Sequence, residues 1–185
     1  RPHVVALPVG GDVTPPLRSR MDALLVLVLI PILATFAYAG VRGAPWVPTW
    51  QRDVERFLTL AQLRSGERFY DLGCGDGRLV RAAADAGAIA TGFECSLLPY
   101  VLAKLRVGRR GSVRYADLWN ADLSGADIVY CFLLPKVYPK LKEKLERECR
   151  VGTCVILYVW PMEGWIVDAI STTEGRPKMY RYIVQ

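Results

Sequence analysis

"FYDLGCGDGRLV", Phe69 to Val80, is the stretch that decides the fold of this 185-residue chain. A short apolar strand runs to Asp71, glycines stand at Gly73, Gly75 and Gly77, and a helix-like pattern begins directly after them. Glycines at this spacing let the backbone turn sharply and come close to a ligand. A helix starting there aims its first amides and the positive end of its dipole at the same spot. Strand, glycine loop and helix together make a nucleotide-type pocket. A dinucleotide fingerprint, G-x-G-x-x-G, needs its third glycine at position 78. That position holds Arg78, and the glycine comes one residue early, at Gly77.

The resulting D-x-G-x-G-x-G run resembles motif I of class I S-adenosylmethionine (SAM) methyltransferases, whose loop wraps a carboxypropyl group and a ribose. A glycine turn without ligand and an NAD site are the alternatives. The rest of the chain fits an α/β reading. Strands are expected near residues 68–72, 89–94, 112–116, 127–134 and 153–160. Helices are expected at about 49–63, 77–86, after Ser96, and at 136–149. Thr49 is a candidate cap for the first helix, and Val54, Phe57, Leu58 and Ala61 follow its apolar spacing. Leu98, Val101, Leu102 and Leu105 share one face of the helix after Ser96. The mixed charges of Lys140, Glu143, Lys144, Glu146 and Glu148 read as a solvated face. The final "KMYRYIV" predicts an antiparallel edge pair. This alternation gives a Rossmann-like, seven-stranded, mostly parallel sheet with its ligand at the carboxyl strand ends.

The acids at those ends are the next candidates. Glu94 ends the second strand, where a carboxylate can accept both hydroxyl hydrogens of a ribose. Asp117 ends the third, in "YADLW", and is either the acceptor for an adenine amino group or a helix cap. Leu118 or Trp119 would flank the ring. Asp71 would meet the cationic amino end of SAM, with Cys74 inside the loop.

Larger blocks narrow the acceptor. "PWVPT" (residues 45–49), "YDLGCGDGR", "GFE", "DLW", "FLLP-KVYPKLKEKLERE" and "VGT-VI" occur in order. They resemble a small protein-lysine methyltransferase family. It includes an archaeal broad-specificity enzyme and the membrane-anchored mitochondrial enzymes acting on the adenine nucleotide translocase and the ATP synthase c-subunit. The resemblance implies SAM binding by Asp71, the Gly73–Gly77 loop, Glu94 and Asp117. It implies a lysine channel bordered by "PWVPT" and "FLLP", so Trp46, Phe132 and Leu133 are the wall candidates. Trp46 stands where the family more usually has Tyr or Phe. "CFLLP" replaces the N/D-P-P-Y/F of amino-methyltransferases, which disfavours nucleobase and glutamine acceptors. A lipid or small-molecule methyltransferase and a non-catalytic SAM-binding module are the competing readings.

Composition adds bounds. Hydrophobic residues make up 52% of the chain, enough for a core. The net charge is +6, and the densest basic cluster is Lys104, Arg106, Arg109, Arg110 and Arg114. Helix C-terminal preference and a solvated loop account for it, with anionic lipid, an acidic partner or nucleic acid as alternatives; no nucleic-acid partner is expected. Five cysteines without a C-x-x-C and a single histidine argue against zinc and a disulfide scaffold.

Before the domain, Ala23 to Val41 is 19 residues without a charge. As a helix it spans about 28 Å, close to the hydrocarbon core of a bilayer. A single transmembrane helix over residues 21–42 is expected, with a buried soluble helix or a signal peptide as rivals. Residues 1–20 read as a disordered leader upstream of a start at Met21, and residues 45–185 as the catalytic domain. With a start at Met21, Arg42 and Arg52 place that domain on the cytoplasmic side, whereas Arg18 and Arg20 blur the orientation if the leader is part of the protein.

Overall fold

In a computed structural model, residues 17–185 are described. The chain runs α1 (Leu17–Val41), α2 (Gln51–Ala61), β1 (Arg68–Leu72), α3 (Arg78–Asp85), β2 (Ile89–Glu94), α4 (Leu97–Val107), β3 (Ser112–Tyr115), β4 (Ile128–Cys131), α5 (Tyr138–Glu148), β5 (Cys154–Tyr158), β6 (Ala169–Ser171) and β7 (Met179–Ile183). The seven strands form one sheet in the order β3-β2-β1-β4-β5-β7-β6. β1 to β5 are parallel; β7 runs antiparallel to both β5 and β6. The expected mixed α/β sheet is therefore present. The "KMYRYIV" strand lies inside it, between β5 and β6, and β6 is the edge.

The sheet is covered on both faces, and β4 shows why its sequence is apolar throughout. All four of its residues are buried. Ile128 and Tyr130 pack with Phe57, Phe69, Leu79 and Val80 below α2 and α3, while Val129 and Cys131 pack with Leu141 and Leu145 below α5. Strands with two covered faces lose the polar alternation of a half-buried sheet. β4 stops at Cys131 rather than 134, because Pro135–Val137 turns as a short 3-10 helix ahead of α5.

Several local expectations change. Trp50, not Thr49, precedes the first turn of α2; the Thr49 hydroxyl lies 3.3 Å from that of Tyr130. α4 buries Pro99, Ala103 and Val107. Its larger apolar residues, Leu98, Val101, Leu102 and Leu105, point away from the core. The reason is room. A Cβ on Gly77 would stand 3.0 Å from the Ala103 Cβ, so α3 and α4 approach through their smallest residues. Gly77 also has φ +75°, left-handed backbone that side chains adopt at a cost. Gly77→Ala should lower the melting temperature by about 5 °C or more, a loss of roughly 2 kcal/mol; an unchanged thermal circular-dichroism curve would contradict this packing.

α5 is not simply a solvated face. Lys144 is 3% exposed. Its ammonium donates to the Ala121 carbonyl at 2.6 Å and the Trp119 carbonyl at 3.2 Å, and pairs with Glu148 at 2.6 Å. It thereby fastens the segment after β3 to α5.

α1 begins at Leu17, four residues ahead of Met21; the remainder of the expected leader lies outside the described residues. Its Met21–Val41 stretch is long and apolar enough to cross a membrane and is almost wholly exposed. Its last turns nevertheless dock on the domain. Ala39 is fully buried, the Leu134 amide donates to the Gly43 carbonyl at 2.8 Å, and the Trp119 indole donates to the Arg42 carbonyl at 3.2 Å. The short segment after α1 is thus fixed to the domain, not a free linker.

Candidate active site

The carboxyl ends of β1 and β2 carry Asp71 and Glu94, and both side chains are buried. Between them the loop from Gly73 to Gly77 rises from β1 and enters α3. The Gly73 and Cys74 amides both donate to the Phe93 carbonyl, at 2.9 and 3.0 Å, which seats the loop on β2. Glu94 then holds the loop from the other side. Its carboxylate accepts the Gly75 amide at 2.9 Å and the Ser96 amide at 2.7 Å. Gly75 has φ +55°, and a Cβ there would sit 3.2 Å from the Trp46 indole. Only glycine lets Trp46 lie so close.

A small cavity is bounded by Trp46, Val47, Thr49, Asp71, Gly75 and Phe132, with Gly73, Cys74 and Glu94 also lining it. Its free volume is about 30 Å³, room for about one water. The strap of residues 44–49 rests on the glycine loop, so any larger ligand enters by displacing it. A broader groove at the opposite strand ends holds Arg150 paired with Asp127 and Arg181 paired with Asp168. Those charges neutralise one another and carry no comparable chemistry.

The cavity's electrostatics favour a cation. Burial pushes the Asp71 carboxyl well above the usual carboxylate range, and Glu94 and Asp76 raise it further. Burial also raises Glu94, against the Ser96 and Gly75 amides that lower it. No side-chain donor reaches Asp71 among the described residues. Asp76 differs: burial opposes its ionisation, but Arg78 and Arg106 outweigh that and hold it low. Two buried, mutually repelling carboxylates beside close-approach glycines fit SAM, whose ammonium and sulfonium are both positive.

Asp71 carries a pH prediction. Its folded pKa is raised, so its contribution to stability is complete below the unfolded value and is lost as pH rises through the folded value. Asp71→Asn should therefore melt a few degrees higher than the parent at pH 8 while binding SAM more weakly. The melting difference should vanish in acid, where Asp71 is protonated. A difference independent of pH, followed by thermal denaturation from pH 5 to 8, would contradict the assignment.

The other expected site residues are placed as follows. Gly77 ends the loop ahead of α3. Asp117 caps the short 3-10 helix Leu118–Asn120 by accepting the Trp119 amide at 3.0 Å. Its other oxygen accepts the Tyr38 hydroxyl at 2.8 Å and the Arg42 Nε at 2.7 Å. Asp117 therefore ties α1 to the domain and does not border the cavity. Leu118 and Leu133 are 3% and 1% exposed, in the core on the α5 side. Leu133 supports Gly73 from beneath, since a Cβ there would come within 3.8 Å of it. Of the three wall candidates only Trp46 and Phe132 line the cavity. Sequence reasoning missed Arg78, whose guanidinium reaches the Thr49 carbonyl and clamps the strap to the loop. It was legible only as the residue occupying the absent third glycine's place.

Known proteins share both the sequence and the sheet that build this site. Residues 71–169 match the family described as the ANTKMT methyltransferase domain. A protein-lysine N-methyltransferase of Saccharolobus islandicus is 36% identical over 150 residues, covering 76% of this chain and 93% of that one. The chain belongs to the ANTKMT methyltransferase family.

Two further relatives extend the likeness. The adenine nucleotide translocase lysine N-methyltransferase of Mus musculus is 37% identical over 146 residues, covering 76% of this chain and 63% of that protein. A crystal structure of an RNA methyltransferase from Salinibacter ruber with S-adenosyl-L-homocysteine superposes with a TM-score of 0.70 and 35% identity. It covers 75% of this chain and 94% of its own. A SAM-derived product bound to so similar a fold agrees with the cation-seeking cavity. The chain is a SAM-dependent methyltransferase.

Proposed function

We propose that this methyltransferase modifies lysine side chains of proteins lying at a membrane, from an anchor formed by α1. The observation that carries the acceptor is the cavity wall. Trp46, Val47 and Phe132 present apolar surface next to the Asp71 end of the glycine loop. Relatives named as lysine methyltransferases support the same acceptor. The apolar Met21–Val41 helix supports the anchor, and with a start at Met21 Arg42 and Arg52 favour a cytoplasmic domain.

The chemistry is a direct displacement. Bound SAM supplies a methyl group on a sulfonium, ready for attack by a neutral amine. Glu94 and the Gly75 amide would fix the ribose end, and Asp71 the ammonium end. Tyr38 and Arg42 occupy one Asp117 oxygen, and the other, which accepts the Trp119 amide, would retain one acceptor position for an adenine amino group. Trp46 and Phe132 exclude water from the acceptor and align its nitrogen. A free lysine is neutral about once in 2,000 molecules at pH 7. An apolar channel lowers its pKa and enlarges that fraction. The nitrogen lone pair forms the new bond, the carbon–sulfur bond breaks, and the amine's proton leaves to solvent.

The test is incubation of the protein with labelled SAM and membranes. Label in protein lysine is the expected result, and Trp46→Ala should lower turnover at least about tenfold while leaving SAM affinity within about threefold. Label confined to lipid or RNA would overturn the acceptor assignment.

A further inference from the structure

α4 leaves an apolar stripe outside the core. Leu98, Val101, Leu102 and Leu105 are 40%, 44%, 39% and 76% exposed. At about 100° per residue these four side chains fall within one third of the helix circumference, opposite Pro99, Ala103 and Val107. Lys104 borders the stripe on one side and Arg106 on the other. Arg109, Arg110 and Arg114 follow in the next turns of chain. Arg106 pairs with Asp76 and Arg110 with Asp85. Lys104, Arg109 and Arg114 form no ion pair among the described residues. An apolar stripe flanked by cations is the pattern of a helix lying in a membrane interface.

The position of α4 relative to α1 says what covers the stripe. The Leu97 amide, at the start of α4, donates to the Thr35 hydroxyl of α1 at 3.1 Å. Thr35 lies six residues before Val41, the last residue of the apolar helix. Six residues of helix measure about 9 Å. With α1 across a bilayer and Val41 at its surface, the start of α4 lies about 9 Å below that surface. Interfacial helices bury their apolar faces about 5–10 Å deep. The contact to α1 thus carries α4 to the depth its stripe requires.

We infer that α4 is a second membrane contact, lying in the lipid interface. Its four apolar side chains enter the acyl boundary. Lys104 and Arg109 extend their stems along the apolar layer and place their charges among anionic headgroups. The inference rests on the reading of α1 as a membrane span, and adds to it a fixed orientation. A single helix allows the domain to swivel. Two contacts hold the glycine loop and the exposed Trp50 beside the strap at one fixed height relative to the bilayer. The enzyme then favours acceptor lysines close to the bilayer surface.

Three single-cysteine labels test this in the full chain reconstituted into vesicles with about one anionic lipid in four. The sites are Leu105→Cys on α4, Leu27→Cys on α1 and Val151→Cys, an 81% exposed position at the far ends of the strands. Four native cysteines are buried, and burial pushes the half-buried Cys95 thiol up to about 11, so exposed cysteines react first at pH 7. Each label is a small environment-sensitive fluorophore.

The expected result is a blue-shifted label at 105, quenched by lipid brominated near the headgroup. Aqueous iodide should quench it about fivefold less than the label at 151. Labels at 105 and 151 equally open to iodide, with 27 in lipid, would overturn the α4 contact and leave the anchor standing. A label at 27 open to iodide would overturn the anchor and this inference with it. A label at 105 shielded from iodide yet untouched by brominated lipid would assign the stripe to a second copy of the chain instead.

Discussion

Glu94→Ala should weaken SAM binding about 100-fold or more in titration calorimetry. The carboxylate is 6% exposed and accepts the amides of Gly75 and Ser96. Removing it leaves two buried amides without a partner, each costing about 1–3 kcal/mol. It also frees the glycine loop on the side where the ribose would lie. A carboxylate at this strand end can accept both ribose hydroxyls, and at about 1.4 kcal/mol per tenfold the loss of two such ligand contacts accounts for a factor of about 100. Glu94→Gln retains one acceptor and turns an amide donor toward a backbone N–H, so its loss should be intermediate, roughly 10-fold or more. Affinity within threefold of the parent in the alanine variant, with circular dichroism unchanged, would remove Glu94 from the site.

Asp53→Ala should lower the melting temperature by about 10 °C. Asp53 is fully buried near the start of α2. It accepts the Tyr158 hydroxyl and the Arg56 guanidinium, both at 2.6 Å, with Arg176 at 3.9 Å. Arg56 also donates to the Ser171 carbonyl at 2.8 Å. One carboxylate therefore joins α2, β5, β6 and the turn before β7. Truncating it leaves a hydroxyl and a partly buried guanidinium uncompensated, which costs about 3–5 kcal/mol. In a domain of this size that is a shift of about 10 °C. Tyr158→Phe removes one hydroxyl from the same network and should cost about 1–2 kcal/mol. A shift below about 3 °C for Asp53→Ala would show the network to be inessential.

These two residues differ in how far the sequence exposes them. Glu94 is legible because it ends the apolar strand that follows the glycine loop, one βα unit further along the chain. Asp53 gives no such signal. It reads as an ordinary helix acid until β5 and the turn at Arg176 are folded against it. Thr49 and Lys144 behave similarly. Thr49 fits a helix cap by residue type, but Tyr130, far away in sequence, takes its hydroxyl. Lys144 fits a surface charge pattern, but the carbonyls of Trp119 and Ala121 draw it inward. Local spacing cannot register a partner supplied by another element.

α4 shows the same limit with more consequence. Periodicity marks Leu98, Val101, Leu102 and Leu105 as one apolar face and does not say which way that face turns. The close approach of Gly77 to Ala103 selects the opposite, smaller face for the core. Packing space, not hydrophobicity, decides which way the helix turns.

The sequence by itself determined the strand–loop–helix unit at Phe69 to Val80, the alternation of strands and helices after it, and the glycines and carboxylates at the strand ends. Each of these follows from short-range backbone demands that a few residue types meet. Only the tertiary structure decided that Asp117 is bonded to Tyr38 and Arg42, that Trp46 lies on Gly75, and that α4 turns its larger side chains outward. Those outcomes depend on which distant surfaces meet and how much space remains between them.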